Sequence, residues 1–388
     1  MRILYVANSN VKSGASVALV NVIKGAIAQR YEVKVLTDSR NGYLTNELDV
    51  LGIEYYQCPM ALKIYPKSRN PIRWLYKFVC LVNIWRKSKI FAGKIIKNLS
   101  PDIVHTNVGP LDVASDVCKS LGIPHVWHCR EYQDLDFRMH YFPFQKKFRR
   151  LIGDSNNHCI AITKAIFDYW QLNENKDIVI YDGVFSINCL PTAKAEKKKY
   201  FLFVGRIEAA KGPLMLLNVF EKFVAQYPEY ALLLAGAYNE DNPYFKRCAH
   251  HVANSPVLKE CVMFLGNRND VYQLMAKATA LIVSSDFEGF GFISAEAMLN
   301  NCLVIGRNTA GTKEQFDNGC RLTKDEIGLR FSNQQELLCA MKKAVSGNFA
   351  EMKKNARKTV CQLYSIEKNV AELFNFYNHI LKSKASNG

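Results

Sequence analysis

The sequence predicts an α/β protein of two Rossmann-like, parallel-sheet domains facing a central cleft. Three features predict it: a length of 388 residues, a repeated alternation of short β-rich runs with amphipathic helical patterns, and one polar interruption near the middle. Such a length exceeds one typical core and suits two, since domains usually run about 100–200 residues. Hydrophobic residues make up 49% and charged residues 22%, which supplies apolar material for both cores and gives no compositional sign of disorder.

The first half opens with a strand over Arg2–Ala7, a helix from about Ala15 and a strand over Glu32–Thr37. Further β-rich runs at Ile103–Thr106, His125–His128, Cys159–Thr163 and Ile178–Tyr181 are each separated by a helix-length segment, the pattern of a parallel sheet covered on both faces. Pro191–Lys199 is lysine-rich and lacks periodicity, so residues 186–199 read as a linker between a first domain of residues 1–185 and a second of 200–364. The second half restarts at Tyr200–Val204 and continues through Ala231–Ala235, Val262–Leu265, Leu281–Val283 and Leu303–Ile305, again with helices between. From Ser365 to Leu381, apolar residues at 366, 370, 373, 374, 377 and 381 form a helical stripe that has to dock, and the tail 365–388 is expected to return to the first domain.

Several function classes are excluded by what the chain lacks. Its longest near-apolar stretch, Trp74 to Trp85, carries Lys77 and is well short of the roughly 20 apolar residues of a membrane span. Only five apolar residues stand between Arg2 and Asn8, too few for a secretory signal, and the expected location is the cytosol, with peripheral binding to the inner face of the plasma membrane as an addition. The 12 cysteines are scattered without a C-x-x-C pair and read as reduced thiols, and Cys248, His250, His251 and Cys261 fit no common zinc spacing. No cofactor and no metal are expected. A net charge of +16 calls for an anionic partner.

Two segments carry chemistry. In Asp286-Phe287-Glu288-Gly289-Phe290-Gly291-Phe292-Ile293-Ser294-Ala295-Glu296, a glycine-rich strand-to-helix turn places Glu288 on the loop and Glu296 inside the helix. Glycines at 289 and 291 allow the backbone close to a ligand, and amides opening the helix at Phe292 favour a phosphate. In Phe203-Val204-Gly205-Arg206-Ile207-Glu208-Ala209-Ala210-Lys211-Gly212, a strand ends in two cations, Arg206 and Lys211, that bracket a short turn. Fixed cations at a departing diphosphate stabilise the transition state more than the ground state. Either segment alone is also compatible with a solvated surface.

Together, these two segments resemble the retaining glycosyltransferases of family 4, which have the GT-B fold, and the resemblance extends over nearly the whole chain. Ser13-Gly14-Ala15-Ser16 looks like that family's glycine loop facing the donor phosphates, with a single glycine, Gly14, where many members have a pair. Val179-Ile180-Tyr181-Asp182-Gly183-Val184 looks like its hinge. The resemblance implies that Arg206 and Lys211 hold the donor diphosphate, that Glu296 bonds the ribose hydroxyls, that Glu288 contacts the donor sugar, and that the backbone around Gly289, Phe290, Gly291 and Phe292 completes the phosphate cradle. It further implies transfer with retention of configuration and without a metal, and it gives His128, at the end of Pro124-His125-Val126-Trp127-His128, a hydrogen-bonding role near the sugar and acceptor. Read by itself, a histidine at a strand end is more often a satisfied structural residue. After Gly311-Thr312-Lys313-Glu314 the family's short return to a strand is replaced by Phe316–Ile327. Asp134-Leu135-Asp136 mimics the paired-aspartate metal site of another transferase fold, without that fold's surroundings.

Positive charge gathers in the first domain. Met60 to Ser100 holds ten Lys or Arg and no Asp or Glu, interleaved with Tyr65, Trp74, Tyr76, Phe78, Trp85 and Phe91, and Trp74–Ile96 reads as a basic amphipathic helix. Arg138, Lys146, Lys147, Arg149 and Arg150, mixed with Tyr141, Phe142, Phe144 and Phe148, extend the theme. The expected partners are a nucleotide-sugar donor (a UDP-sugar first, GDP-mannose second), a glycan or lipid-diphosphate-linked acceptor of bacterial surface polysaccharide assembly, and an anionic membrane surface. Two alternatives remain open at this level: a basic nucleic-acid-binding protein, which no recognisable motif supports, and a nucleotide-sugar epimerase or phosphorylase of related architecture.

Overall fold

In a computed structural model, residues 1–8, 12–66, 68–190 and 195–387 are described, so Pro191–Lys194 of the expected linker lies outside them. The chain divides into two compact units, Met1–Gly183 with Ile366–Gly388, and Val184–Ser365.

The first unit is built on seven strands: β1 (Arg2–Val6), β2 (Glu32–Thr37), β3 (Tyr55–Gln57), β4 (Ile103–Thr106), β5 (His125–Cys129), β6 (Asn157–Ala161) and β7 (Ile178–Val179). All pair in parallel, in the order β3-β2-β1-β4-β5-β6-β7. Strand alternation sends Ile3 and Tyr5 into one core and Leu4 and Val6 into another on the opposite face. The helix Ile366–Asn387 covers the first of these faces with Leu373, Phe374 and Tyr377, which is where the tail stripe goes. A chain buried on both faces in this way reads as continuous apolar runs, which is why β1, β4 and β5 were legible.

The second unit repeats the plan with β8 (Tyr200–Val204), β9 (Ala231–Ala235), β10 (Val262–Gly266), β11 (Ala280–Val283), β12 (Leu303–Arg307) and β13 (Leu329–Phe331), ordered β10-β9-β8-β11-β12-β13 and parallel throughout. In each sheet the order reverses beside its first strand, between β1 and β4 and between β8 and β11. The crevice outside the carboxyl ends of such a pair is where ligands of open α/β sheets bind. Phe201, Phe203, Phe220 and Phe223 anchor the core of this unit.

The basic helix runs from Pro71 to Leu99, longer than expected at both ends. Asn70 caps it, its side-chain oxygen accepting from the amides of Ile72 (3.0 Å) and Arg73 (3.1 Å), while Pro71 at the first helical position has no amide to leave unsatisfied. Ser100 ends it in a left-handed conformation. Among the described residues no helix is long and apolar enough to cross a membrane.

Candidate active site

The carboxyl ends of β8 and β11 are tied together by backbone. Gly212 sits at φ +70°, and a Cβ there would stand 2.3 Å from Ser284 O, so the turn after β8 can press against the loop after β11 only because residue 212 is glycine. Ser284 Oγ donates to Lys211 O (2.8 Å), and the amide of Asp286 to Ala210 O (3.2 Å). This contact aims Lys211 at the glycine-rich loop, where its Nζ lies 2.7 Å from Glu288 Oε1. Ser285 Oγ donates to the same carboxylate oxygen. Arg206 stands at the same strand end, half-exposed, with its guanidinium 3.1 Å from Glu208.

Beyond Glu288 the chain turns through Gly291, whose φ of +89° and ψ of 56° place it in the left-handed region as the cap of helix Phe292–Leu299. Gly291 has no side chain to cap this helix, so its opening amides and the positive end of its dipole can face a ligand. The loop is held from behind. Gln315, fully buried, donates through Nε2 to Phe290 O (2.8 Å) and Gly291 O (3.0 Å), and accepts from Ser294 Oγ (2.6 Å). The amide of Gly311 donates to Glu288 O (2.9 Å), and Thr309 Oγ1 to Asp286 O (2.9 Å). The segment after Gly311 is one helix, Ala310–Thr323, whose first turns brace the cradle. Glu296, one turn into its own helix, accepts from Tyr272 OH (3.0 Å), and burial pushes its carboxyl up from 4.5 to about 7 against the opposing effect of that bond.

Arg206, Lys211, Glu288, Gly289, Phe290, Gly291, Phe292 and Glu296 therefore all lie at or next to the β8–β11 switch point of the second unit, with Lys211 and Glu288 in direct contact. Gly14 and His128 belong to the first unit. Gly14 opens helix Gly14–Ala28 next to the β1–β4 switch point, exposed, behind a capping box formed by Ser13 and Ser16.

His128, near the end of β5, is buried in a polar network that the sequence reading did not anticipate. Arg130 donates from Nη1 to both oxygens of Asp182 (2.7 and 2.6 Å), from Nε to Asn107 O (3.0 Å), and lies with Nη2 3.3 Å from His128 Nδ1. His128 Nδ1 is also 3.2 Å from His105 Nε2, and His105 Nδ1 meets the hydroxyl of Tyr377. Burial and then the Arg130 charge hold both histidines well below their usual range, with His125 adding to the effect at His105 and His105 at His128, so both rings are neutral. A guanidinium has only donors, so His128 Nδ1 is the acceptor and the proton sits on Nε2, which among the described residues has no partner. The only signal for Arg130 in the sequence is a cation two residues after His128, just past the apolar run, and Asp182 was read only as part of a hinge. Asp134 accepts from Leu135 N (2.9 Å) and Asp136 from the amides of Tyr132 (3.0 Å) and Gln133 (2.7 Å), which makes this pair a turn-forming device. Among the described residues no group of three or more His, Cys, Asp or Glu is placed to hold a metal ion.

Comparison with known proteins bears on the half of the chain that carries the Lys211–Glu288 pair. Residues 191–359 match the family of glycosyl transferases group 1. N-acetyl-alpha-D-glucosaminyl L-malate synthase from Bacillus anthracis is 25% identical over 189 residues, covering 48% of this chain and 47% of that protein. The Vi polysaccharide biosynthesis protein VipC/TviE from Salmonella typhi is 24% identical over 178 residues, covering 42% of this chain and 30% of its own. The matched stretch spans about half or less of the length of these curated relatives. A solved structure of Anabaena Alr3699/HepE in complex with UDP aligns with a TM-score of 0.76 at 19% identity, over 98% of this chain and all of that one; the same protein has been solved with UDP-glucose. At that identity the likeness is one of fold, and the fold is GT-B: two Rossmann-like parallel-sheet domains. The fold likeness runs through the whole architecture, and the family match lies within the second unit.

Proposed function

We propose that this chain is a retaining, metal-independent hexosyltransferase that moves a sugar from a nucleotide-sugar donor, a UDP-sugar before GDP-mannose, to a glycan or lipid-diphosphate-linked acceptor in bacterial surface polysaccharide biosynthesis. The Lys211–Glu288 contact at the β8–β11 switch point, beside an uncapped helix N-terminus, is the observation that carries this reading. As the glycosidic bond breaks, charge develops on the diphosphate, and Lys211, Arg206 and the amides opening helix Phe292–Leu299 absorb it. Glu288 then turns from its cation to the sugar hydroxyls, and Glu296 accepts from the ribose. The acceptor hydroxyl attacks on the face that the leaving group vacates, with its proton passing to a phosphate oxygen, which gives retention. His128 keeps the hydrogen-bonding role that the family resemblance implies for it. The relative solved with UDP and UDP-glucose supports a uridine donor, and the relative named for Vi polysaccharide biosynthesis supports the pathway.

Screening UDP- and GDP-sugars for nucleoside diphosphate release in the presence of lipid extract tests this reading. Release without any acceptor-dependent product, or none with any donor, refutes it. Glu296 adds a pH signature. Its raised carboxyl is protonated in a large fraction at pH 6, whereas two ribose hydroxyls demand the ionised acceptor, so nucleotide affinity rises as pH climbs through about 7. Titration calorimetry with UDP between pH 5.5 and 8.5 should show up to roughly tenfold tightening per unit below that value, and Glu296→Gln should flatten the profile.

Membrane contact is supported by an apolar stripe on helix Pro71–Leu99: Ile72, Leu75, Tyr76 and Val79 are 82, 57, 70 and 50% exposed at helical spacing, flanked by Arg73 and Lys77. In flotation assays at low salt the protein should rise with anionic vesicles and stay down with neutral ones. Changing Arg73, Lys77, Lys87 and Lys94 to Gln should cost most of that binding, at about 1 kcal/mol per cation. Unaltered protein that remains at the bottom with anionic vesicles contradicts the contact.

A further inference from the structure

Helix Pro71–Leu99 has a second apolar face. Phe78, Val82 and Trp85 recur about 90° round the helix from the exposed stripe, and with Asp112 and parts of the segment 141–151 they line a cavity of about 380 Å³ within the first unit. Its wall is rigid and aromatic. Trp85 stacks on Phe142 with ring centroids 4.9 Å apart, Phe78 meets Phe142 edge-on at 4.8 Å, and Trp85 Nε1 donates to Ala61 O (3.1 Å).

The polar part of the lining is cationic. Lys63, Arg86, Lys89 and Lys147 face it against one carboxylate, Asp112. Lys63 and Lys89 both lie against Asp112, and Lys89 also pairs with Asp116. Arg86 and Lys147 are exposed, stand where the cavity meets solvent, and among the described residues make no ion pair. Asp112, the one acidic residue of the lining, has its Oδ1 buried without a hydrogen-bond partner among the described residues. A surface that is aromatic on one side and cationic on the other suits a ligand with a hydrocarbon part and an anionic head, and not hydrocarbon alone.

We propose that this cavity binds one phosphorylated lipid, its chain lying along Phe78, Val82, Trp85 and Phe142 and its phosphate held by Arg86 and Lys147. A single chain fits a half-open aromatic cleft of this volume where a bilayer surface does not. A nucleobase would leave its polar edge against Val82 and the phenylalanines, whereas an alkyl or prenyl chain has no edge to satisfy. The assignment rests on the transferase reading only for its purpose: the lipid phosphate would be that of the acceptor.

The probe is farnesyl diphosphate, below its micelle-forming concentration, with Trp85 emission and calorimetry as readouts. All four tryptophans fall in the first unit, so emission follows that unit alone. Saturable binding with a change in emission is expected, at least about tenfold tighter than inorganic pyrophosphate or farnesol, because both the chain and the charge-assisted contacts contribute. Arg86→Glu with Lys147→Glu should weaken it by about tenfold or more, and Val82→Trp should block it. Equal binding of pyrophosphate, equal binding of farnesol, or indifference to the double charge reversal each overturns the proposal. A UDP-induced thermal shift, measured in parallel, separates the two readings. If UDP binds and farnesyl diphosphate does not, the cavity assignment alone fails; if farnesyl diphosphate binds and no sugar nucleotide does, the transferase reading fails and the site stands.

Discussion

Glu288→Gln is expected to lower turnover in sugar transfer by roughly 10²–10³-fold, with the thermal unfolding midpoint moved by less than about 4 °C. The substitution keeps the shape of the side chain and the bond from Ser285, and removes only the charge that faces Lys211. Lys211, relieved of its counter-ion, is then fully available to the diphosphate in the ground state, so the KM for donor should hold or fall while kcat drops. That split marks an interaction made in the transition state and not merely in binding. Lys211→Met supplies the control. If Glu288 served only to position the lysine, the double variant would turn over no more slowly than Lys211→Met alone; if each touches a different part of the donor, the losses compound. Near-normal turnover by Glu288→Gln contradicts the role given to it here.

The unequal legibility of the molecule has a physical cause. Strands buried on both faces announce themselves as apolar runs, and β2, β4, β8 and β9 fall on the residues expected. The edge strand Tyr55–Gln57 and the three-residue Leu329–Phe331 did not, because each is too short and too mixed in polarity for a period to emerge. In the second unit the charged residues proposed for the cradle were noticeable because Arg206, Lys211 and Glu288 each adjoin a glycine. Its supports were not. Gln315, Thr309 and Ser284 act through the backbone of a distant segment, and no local pattern reports a contact between residues 315 and 290. The network around His128 is the extreme case, since Arg130, Asp182, His105 and Tyr377 converge from four places in the sequence and only folding reveals that they are one group.

That network yields the largest expected effect on stability. Arg130→Leu leaves Asp182 buried without its cation, which costs about 3–5 kcal/mol, and tryptophan emission in urea would read it in the first unit. The pH dependence identifies the cause. Burial already raises the Asp182 carboxyl above its ordinary 3.8, with Arg130 opposing the rise, so removing Arg130 lifts it further. A carboxyl raised in the folded state contributes stability that is present below its unfolded value and lost as pH rises through the folded one. The variant should therefore be closest to the parent near pH 4 and fall away towards pH 8, and Arg130→Leu with Asp182→Leu should recover much of the loss. A deficit that is flat with pH would mean that the guanidinium matters for its bond to Asn107 O and its packing, and not for the carboxylate. The same variant also tests the state of His128. Without the guanidinium only His105 remains at Nδ1 to hold the ring in the Nε2–H form, and ring-nitrogen NMR should show the parent in that tautomer and the variant with a larger share of the other.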